Sequence, residues 1–408
     1  MQTKRKSDIS INLSSFFLKN IGLWVDDNHA KEPQMKLILI YTVWNSVCGV
    51  LISSRDLYFT WLYNGDVLYT LTNTLSVIII LMKVSIIVMH KKEFINLIVY
   101  MQENFWNVKY DIHEKEILDN CKKICAFFVS SVTAIGICAI IAYLSTPFTA
   151  QIGNNESERI LPFNMWLNFP MVSPYYELLF LFQIITFLYI GVCYFCFDNI
   201  FCIMAIHLTG QFRILRYRFL KMCDTEYQIT EKDEESMLTK HAYMIYDTFK
   251  KYVRHHQALI NYYKTLENVY TMIILGQVLV FSMLICLFGY QVLLAKASAA
   301  RRAVFIFLLL GAMSLLFMFT YSCDGVIEHS DNVAIGSYSA MWTIMPMNEY
   351  GKMLRNDIVM TIKRSRRVCC LTAYGFFPVS LETYTTILST AVSYFTLLRN
   401  HVEITDKT

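Results

Sequence analysis

The sequence predicts an all-α, polytopic membrane protein: seven transmembrane helices, amino terminus in the cytosol, carboxy terminus outside, and a helical anchor layer on the cytosolic side. Three observations lead there. The 408 residues are 55% hydrophobic and only 17% charged, whereas a soluble domain carries roughly 25% charged residues. The mean hydropathy is +0.39, and with 14 Gly and 7 Pro no linker-like stretch divides this apolar material among soluble domains. Lys and Arg, finally, gather in alternate connecting segments. The net charge of +4 is too small to favour a nucleic acid partner.

A bilayer core takes about 20 apolar residues per helix. Seven such runs occur, at 37–53, 67–89, 125–144, 177–207, 269–294, 303–321 and 371–398, in a single unit covering 1–408. The first is the shortest and is interrupted by Asn45-Ser46. Met1 to Lys36 is polar and charged without the apolar core of a signal peptide, so the first run is itself the insertion signal. The fourth exceeds what a membrane requires and projects into the cytosol. After it, Met237, Met244, Phe249, Val253, Leu259, Tyr263 and Leu266 recur at helical spacing, which extends the fifth helix into the cytosol. Beyond the sixth run, Val326, Val333, Tyr338, Met341 and Trp342 predict a short helix before Pro346, with a basic bend at Lys363 to Arg367. The segments 208–268 and 322–368 thus form the anchor layer. They either hold subunits together or cover the ends of one bundle.

Basic loops stay in the cytosol. The amino-terminal segment has Lys4, Arg5, Lys6, Lys19, Lys31 and Lys36, the second loop Lys91, Lys92, Lys109, Lys115, Lys122 and Lys123, and the fourth has ten basic residues between Arg213 and Lys264. The first and third loops have Arg55 and Arg159 alone, and the fifth Lys296, Arg301 and Arg302. This bias sets the amino terminus inside. The sequon Asn155-Glu156-Ser157 then lies outside and is the expected glycosylation site, while Asn12-Leu13-Ser14 lies inside and stays unmodified. A carboxy terminus outside reverses the arrangement of G-protein-coupled receptors, and no G protein is expected. None of the 12 cysteines falls in an outside loop, so no extracellular disulfide framework is expected, and Cys193-x-x-Cys196 reads as packing.

No catalytic motif survives inspection, and no enzyme activity, cofactor or metal is expected. His241, His255 and His256 lack the partners of a metal site. Lys83, inside the second run, reads as a side chain snorkelling to the inner interface. In the last run, Glu382, Thr386, Thr390, Ser393, Leu397 and Asn400 fall at steps of three and four and share one face. Tyr384, Ile387, Leu388, Val392, Phe395 and Leu398 occupy the others. Such a polar stripe serves interhelical hydrogen bonding or lines water, and the water reading requires several copies around an axis. Aromatic residues, 15% of the chain, gather in the outer halves of the runs. Tyr69, Tyr143, Tyr176, Phe180, Phe187, Phe281, Phe288 and Phe305, with Thr72 and Gln183 as isolated polar groups, either pack, anchor at the interface or line a pocket for a small volatile or apolar ligand.

Local motifs follow the same order as in a known family. Gly22-Leu23-Trp24, His90-Lys91-Lys92-Glu93-Phe94, Ser173-Pro174-Tyr175-Tyr176-Glu177 and His207-Leu208-Thr209-Gly210-Gln211-Phe212 lead to Ser380-Leu381-Glu382-Thr383-Tyr384 and Ser393-Tyr394-Phe395-Thr396-Leu397-Leu398. With the inside amino terminus and enlarged fourth loop, they make the chain resemble an insect odorant receptor, in a style similar to those of ants, bees and wasps. The resemblance implies a ligand-gated, non-selective cation channel, tetrameric with a shared co-receptor subunit, in the cell membrane of olfactory sensory neuron dendrites. It implies a pore lined by the last helix with its gate at Leu397, followed by Asn400 and His401, where His401 departs from the apolar pattern of the co-receptor. It places the odorant pocket in the outer half, with residues nominated there by position. A gustatory receptor of the same superfamily is the alternative, opposed by the Tyr-Tyr-Glu and Gly-Gln-Phe motifs. A secondary transporter would need inverted repeats and charged midplane sites, and Glu382, near the inner end, is the main acid expected within the spans.

Overall fold

In hydrocarbon no water satisfies a backbone N–H or C=O, so long apolar runs must close their hydrogen bonds internally as helices. The computed structural model describes residues 9–23, 32–63, 65–151, 173–223, 234–293 and 299–405. Its elements are α1 (Ile9–Ile21), α2 (Glu32–Leu62), α3 (Val67–Met89), α4 (Lys91–Met101), α5 (Ile112–Gln151), α6 (Tyr175–Leu220), α7 (Glu234–Leu293), α8 (Ala299–Ser339), α9 (Glu349–Ser365) and α10 (Leu381–Thr405). Among the described residues β pairing is confined to one isolated bridge, Thr372 with Pro378.

Among the described residues six helices, α2, α3, α5, α6, α7 and α8, are long and apolar enough to cross a membrane. The Thr and Ser residues of α10 keep its hydropathy below theirs. Helices α6, α7 and α8 have 46, 60 and 41 residues, or roughly 70, 90 and 60 Å at 1.5 Å per residue. Each outruns the ~30 Å hydrocarbon core. Their excess lies at the basic end, where α9 packs against α7 and α8 and completes a helical layer.

Two boundaries differ from the sequence reading. Val326, Val333 and Tyr338 form no separate helix; they continue α8 as far as Ser339. Continuity is possible because α8 lies tightly on α6 there: a Cβ at Gly336 would come 2.7 Å from the Arg216 carbonyl oxygen. The short helix instead follows Pro346 as α9. Its first turn is capped by Asn348, whose Oδ1 accepts from the Gly351 N–H at 2.9 Å, and Arg355 donates to the Met345 carbonyl at 2.7 Å. The last helix begins at Leu381 rather than at Leu371. Tyr374 (φ 51°) and Gly375 (φ 77°) turn the chain back on itself, and Pro378 disfavours helix at the residue before it.

The carboxy-terminal half of α6 is the centre of the subunit. From Cys193 to Leu215 nearly every residue is buried, Asp198, Asn199, His207 and Gln211 included, as expected of a helix enclosed on all sides. The amino-terminal half differs: Leu178, Leu181, Phe182, Ile185 and Leu188 are exposed, an apolar surface suited to lipid. Helix α1 docks on this post, with Phe17 edge-on to Phe195 at 6.2 Å and the Tyr189 hydroxyl donating to the Asn20 carbonyl at 2.9 Å.

A Schellman turn ends α1. The Leu23 N–H donates to the Leu18 carbonyl at 3.0 Å and the Gly22 N–H to that of Lys19 at 3.2 Å, with Gly22 at φ 82°. A Cβ on Gly22 would stand 2.5 Å from the Met35 carbonyl oxygen. Gly22→Ala is therefore expected to destabilise the protein by at least ~1–2 kcal/mol, the left-handed backbone penalty alone, read as earlier thermal unfolding of the solubilised chain.

Candidate ligand cavity and polar-striped helix

Helices α3, α5, α6, α7 and α8 enclose a cavity of about 150 Å³. Its aliphatic wall includes Val77, Ile80, Val132, Ile135, Ile190 and Leu308, its aromatic wall Tyr143, Phe187, Tyr194, Phe195, Phe288 and Phe307, and its polar edge Asn73 and Ser76. The Tyr143 and Phe187 rings stack at 4.7 Å and 22°. The Tyr143 hydroxyl lies 3.4 Å from that of Tyr69, whose ring meets Phe305 edge-on at 5.8 Å. Phe305 in turn lies 6.0 Å from Phe288.

Arg301 stands beyond Tyr69. Its guanidinium lies 4.2 Å above the Tyr69 ring, pairs with Asp66 and donates to Gln291 Oε1 at 2.9 Å. Asp66 also caps α3, accepting from the Tyr69 N–H at 3.1 Å. One basic residue of the fifth loop is thus held by an acid beside α3 instead of marking a free basic segment.

Of the residues nominated by position, Tyr143, Phe187 and Phe288 line the cavity. Tyr69 and Phe305 stand behind its wall. Thr72 is buried with its hydroxyl donating to the Leu68 carbonyl at 2.6 Å, and Gln183 is buried in α6; neither lines the cavity. Tyr176 and Phe180 stack on each other at 5.9 Å near the outer start of α6, away from it. Phe281 lies deeper, 6.4 Å from Tyr194. The residues missed, Asn73, Ser76, Val77 and Ile80, continue the helical face of Tyr69 at steps of three and four, so spacing along α3 could have found them.

Lys83 does not snorkel. It and Asp198 are both fully buried, with Nζ 2.7 Å from Oδ2. Gln277 Nε2 donates to the same oxygen at 3.2 Å, and the ammonium faces the rings of Tyr194 at 5.2 Å and Phe281 at 5.8 Å. Burial costs a lone charge far more than a paired one, and the partner on α6 keeps Lys83 inside. Asp198, not Glu382, is the buried acid of the bundle. The signal was present: a cation and an anion in two apolar runs. Tyr194 belongs to both sites, as cavity wall and as cover for Lys83.

Helix α10 is two-faced. Ile387 and Ala391 are buried, Tyr384 meets Phe317 edge-on at 5.5 Å, and this side packs on α7 and α8. Glu382, Thr386, Thr390, Ser393, Leu397 and Asn400 are exposed, and Leu397 is 65% exposed. The hydroxyls donate to their own backbone: Thr386 to Glu382 O at 2.9 Å, Thr390 to Thr386 O at 2.8 Å, Ser393 to Ser389 O at 2.9 Å. None of the three makes an interhelical bond to another described residue. The start of α10 is tied down, the Leu381 N–H donating to Asp324 Oδ1 at 3.3 Å. In the preceding turn Thr372 donates to Glu267 Oε1 at 2.9 Å and the Tyr374 N–H to Thr271 Oγ1 at 2.8 Å, both on α7. The side chain of His401 and the sequon at Asn155 lie outside the described residues.

Among the described residues no group of three His, Cys, Asp or Glu side chains is placed to hold a metal. All twelve cysteines are unbridged. Burial pushes the Cys369 thiol up to about 11, which leaves it a poor nucleophile at neutral pH.

These features define a multi-pass membrane protein with an apolar cavity between its helices and one helix whose polar face is left uncovered by the described residues of its own chain, the makings of a small-molecule receptor. The sequence model described as 7tm Odorant receptor matches residues 63–392, and the chain belongs to that family. It is an odorant receptor subunit and not an enzyme. It is 25% identical over 416 aligned residues to Odorant receptor 13a of Drosophila melanogaster, covering 96% of each chain. It is 25% identical to Odorant receptor 10 of Aedes albopictus, over 66% of this chain and 67% of that one. The fold is that of the insect olfactory receptor OR5 from Machilis hrabei, solved in complex with eugenol, with a TM-score of 0.78 at 14% identity, covering 96% of this chain and 97% of the other. These matches favour neither a gustatory receptor nor a transporter.

Removing one member of the buried pair leaves the other uncompensated. Lys83→Met and Asp198→Leu are each expected to cost about 3–5 kcal/mol, while the double variant costs less than their sum. Thermal unfolding of the solubilised protein checks this; additive losses would mean that the pair is not coupled.

Proposed function

We propose that this subunit binds a small volatile or apolar odorant in the cavity and, with the shared co-receptor, forms a ligand-gated, non-selective cation channel in the membrane of olfactory sensory neuron dendrites. The observation that carries the reading is α10. Its apolar side packs on α7 and α8 while Thr386, Thr390 and Ser393 are exposed. Lipid is a poor environment for such a stripe, and one stripe cannot enclose water, so several copies must surround a common axis. The basic segments put the helical layer and the amino terminus in the cytosol and the outer end of α10 outside. On this orientation α10 is the seventh span, and Asn155 faces the exterior and carries glycan.

Leu397, near the outer end of α10, would form an apolar constriction that excludes ions by dewetting, with Asn400 and His401 beyond it. A bound odorant opens it only to the extent that it prefers the open arrangement. The path from cavity to pore is short. Phe288 lines the cavity, and at the next residue, Gly289, a Cβ would lie 3.7 Å from the Phe395 ring of α10. A ligand that displaces α7 at Phe288 therefore acts one residue from the pore helix.

Co-expression with the co-receptor tests this. Gly311 lines the cavity, and a Cβ there meets nothing closer than 3.5 Å, so Gly311→Leu fills the space without a backbone clash. It is expected to weaken odorant sensitivity by roughly tenfold or more while currents evoked through the co-receptor persist. Substitutions at Leu397 and Asn400 should alter ion permeability or block, and cysteines at Thr386, Thr390 and Ser393 should react with aqueous reagents. Shielding of all three positions during stimulation, or unchanged permeation across several substitutions, removes α10 from the pore.

A further inference from the structure

The cavity wall holds two polar groups without a hydrogen-bond partner among the described residues, the Tyr194 hydroxyl and the Asn73 carboxamide. On α3, Thr70, Thr72, Thr74 and Ser76 all donate to carbonyls three or four residues back, and the Tyr143 hydroxyl faces that of Tyr69. Asn73 lies among them and lines the cavity, yet its carboxamide has no hydrogen-bond partner among the described residues. A side-chain amide offers two donors and an acceptor. Held against an apolar space without a partner, it is costly until a ligand or water satisfies it.

The space itself limits what can do so. At about 150 Å³, the cavity matches engineered protein cavities that accept benzene, and the stacked rings of Tyr143 and Phe187 flank it. A single ring fits such a space.

We infer that the cavity takes compact oxygenated ligands, one ring or a chain of similar bulk bearing a hydroxyl or carbonyl, and that Asn73 is the residue that recognises the oxygen. The inference rests on the cavity being the odorant site. A hydrocarbon of the same shape buries the amide unpaired, and that difference, not apolar contact, separates the two ligand classes.

Two isosteric pairs test it: phenol against toluene, and acetophenone against α-methylstyrene. Binding to the full chain assembled with the co-receptor is read as ligand-dependent thermal stabilisation, relative to the co-receptor alone. Phenol and acetophenone are expected to bind roughly tenfold more tightly than their hydrocarbon partners. Asn73→Leu, with the same number of side-chain heavy atoms, should abolish that ratio by weakening the oxygenated probes and tightening the hydrocarbons, which no longer bury an unpaired amide. Equal binding within each pair, no binding of any probe, or a ratio that survives Asn73→Leu overturns the assignment; so does a ratio lost instead in Tyr194→Phe. Gly311→Leu separates the two levels. If all four probes bind it as they bind the unsubstituted chain, the cavity is not the site and the underlying reading fails. If it blocks them while Asn73→Leu leaves the ratio intact, only the role of Asn73 falls.

Discussion

Hydrocarbon supplies no hydrogen-bond partner, and this scarcity governs the molecule. It makes the long apolar runs helical and turns the hydroxyls of α3 and α10 back onto their own carbonyls. It also sets Lys83 against Asp198, with Gln277 as a third member. Many polar side chains of the bundle are thereby settled within the chain, although Thr133, Thr186 and Asn199 are buried without a hydrogen-bond partner among the described residues, and others are left facing a space. The groups left facing a space are the informative ones: the Asn73 amide at the cavity and the polar face of α10.

The bundle is tight at one end and loose at the other. Around the carboxy-terminal half of α6, phenylalanines pack closely, Phe201 stacking on Phe319 at 4.3 Å and lying 4.7 Å from Tyr270. Towards its amino-terminal end α6 becomes exposed and the helices part around the cavity. Close-packed interiors switch between discrete arrangements rather than deforming continuously. On the proposed reading, a ligand in the loose half works against the tightly packed half, and α7, which runs through both and touches α10, is placed to carry the difference.

Much of this was legible from the residues alone. Apolar runs and basic segments gave the helices and the layer, and the three- and four-residue spacing of Thr386, Thr390 and Ser393 gave the stripe before any coordinates did. The less legible parts depend on contacts distant in sequence. Lys83 looked like an interface residue because its partner lies on another helix, 115 positions away. The turn before α10 was hidden because Leu371, Ala373 and Val379 are apolar and buried without being helical; only Gly375 and Pro378 hinted at it. Pocket residues chosen by aromaticity included Tyr176 and Phe180, which pair with each other, and passed over Asn73, which is neither aromatic nor charged.

Three glycines line the cavity, and they differ in what they permit. At Gly136 a Cβ would meet the Phe195 ring at 2.8 Å and at Gly191 the Ile140 methyl at 3.0 Å, but at Gly311 there is room. On the proposed reading of the cavity as the odorant site, a single change at position 311 after gene duplication alters the odour spectrum of one copy, since enlarging that residue trims the chamber and leaves the packed post of α6 untouched. The other two positions are closed to such drift unless a neighbour shrinks first. Diversification of this receptor would thus begin on α8.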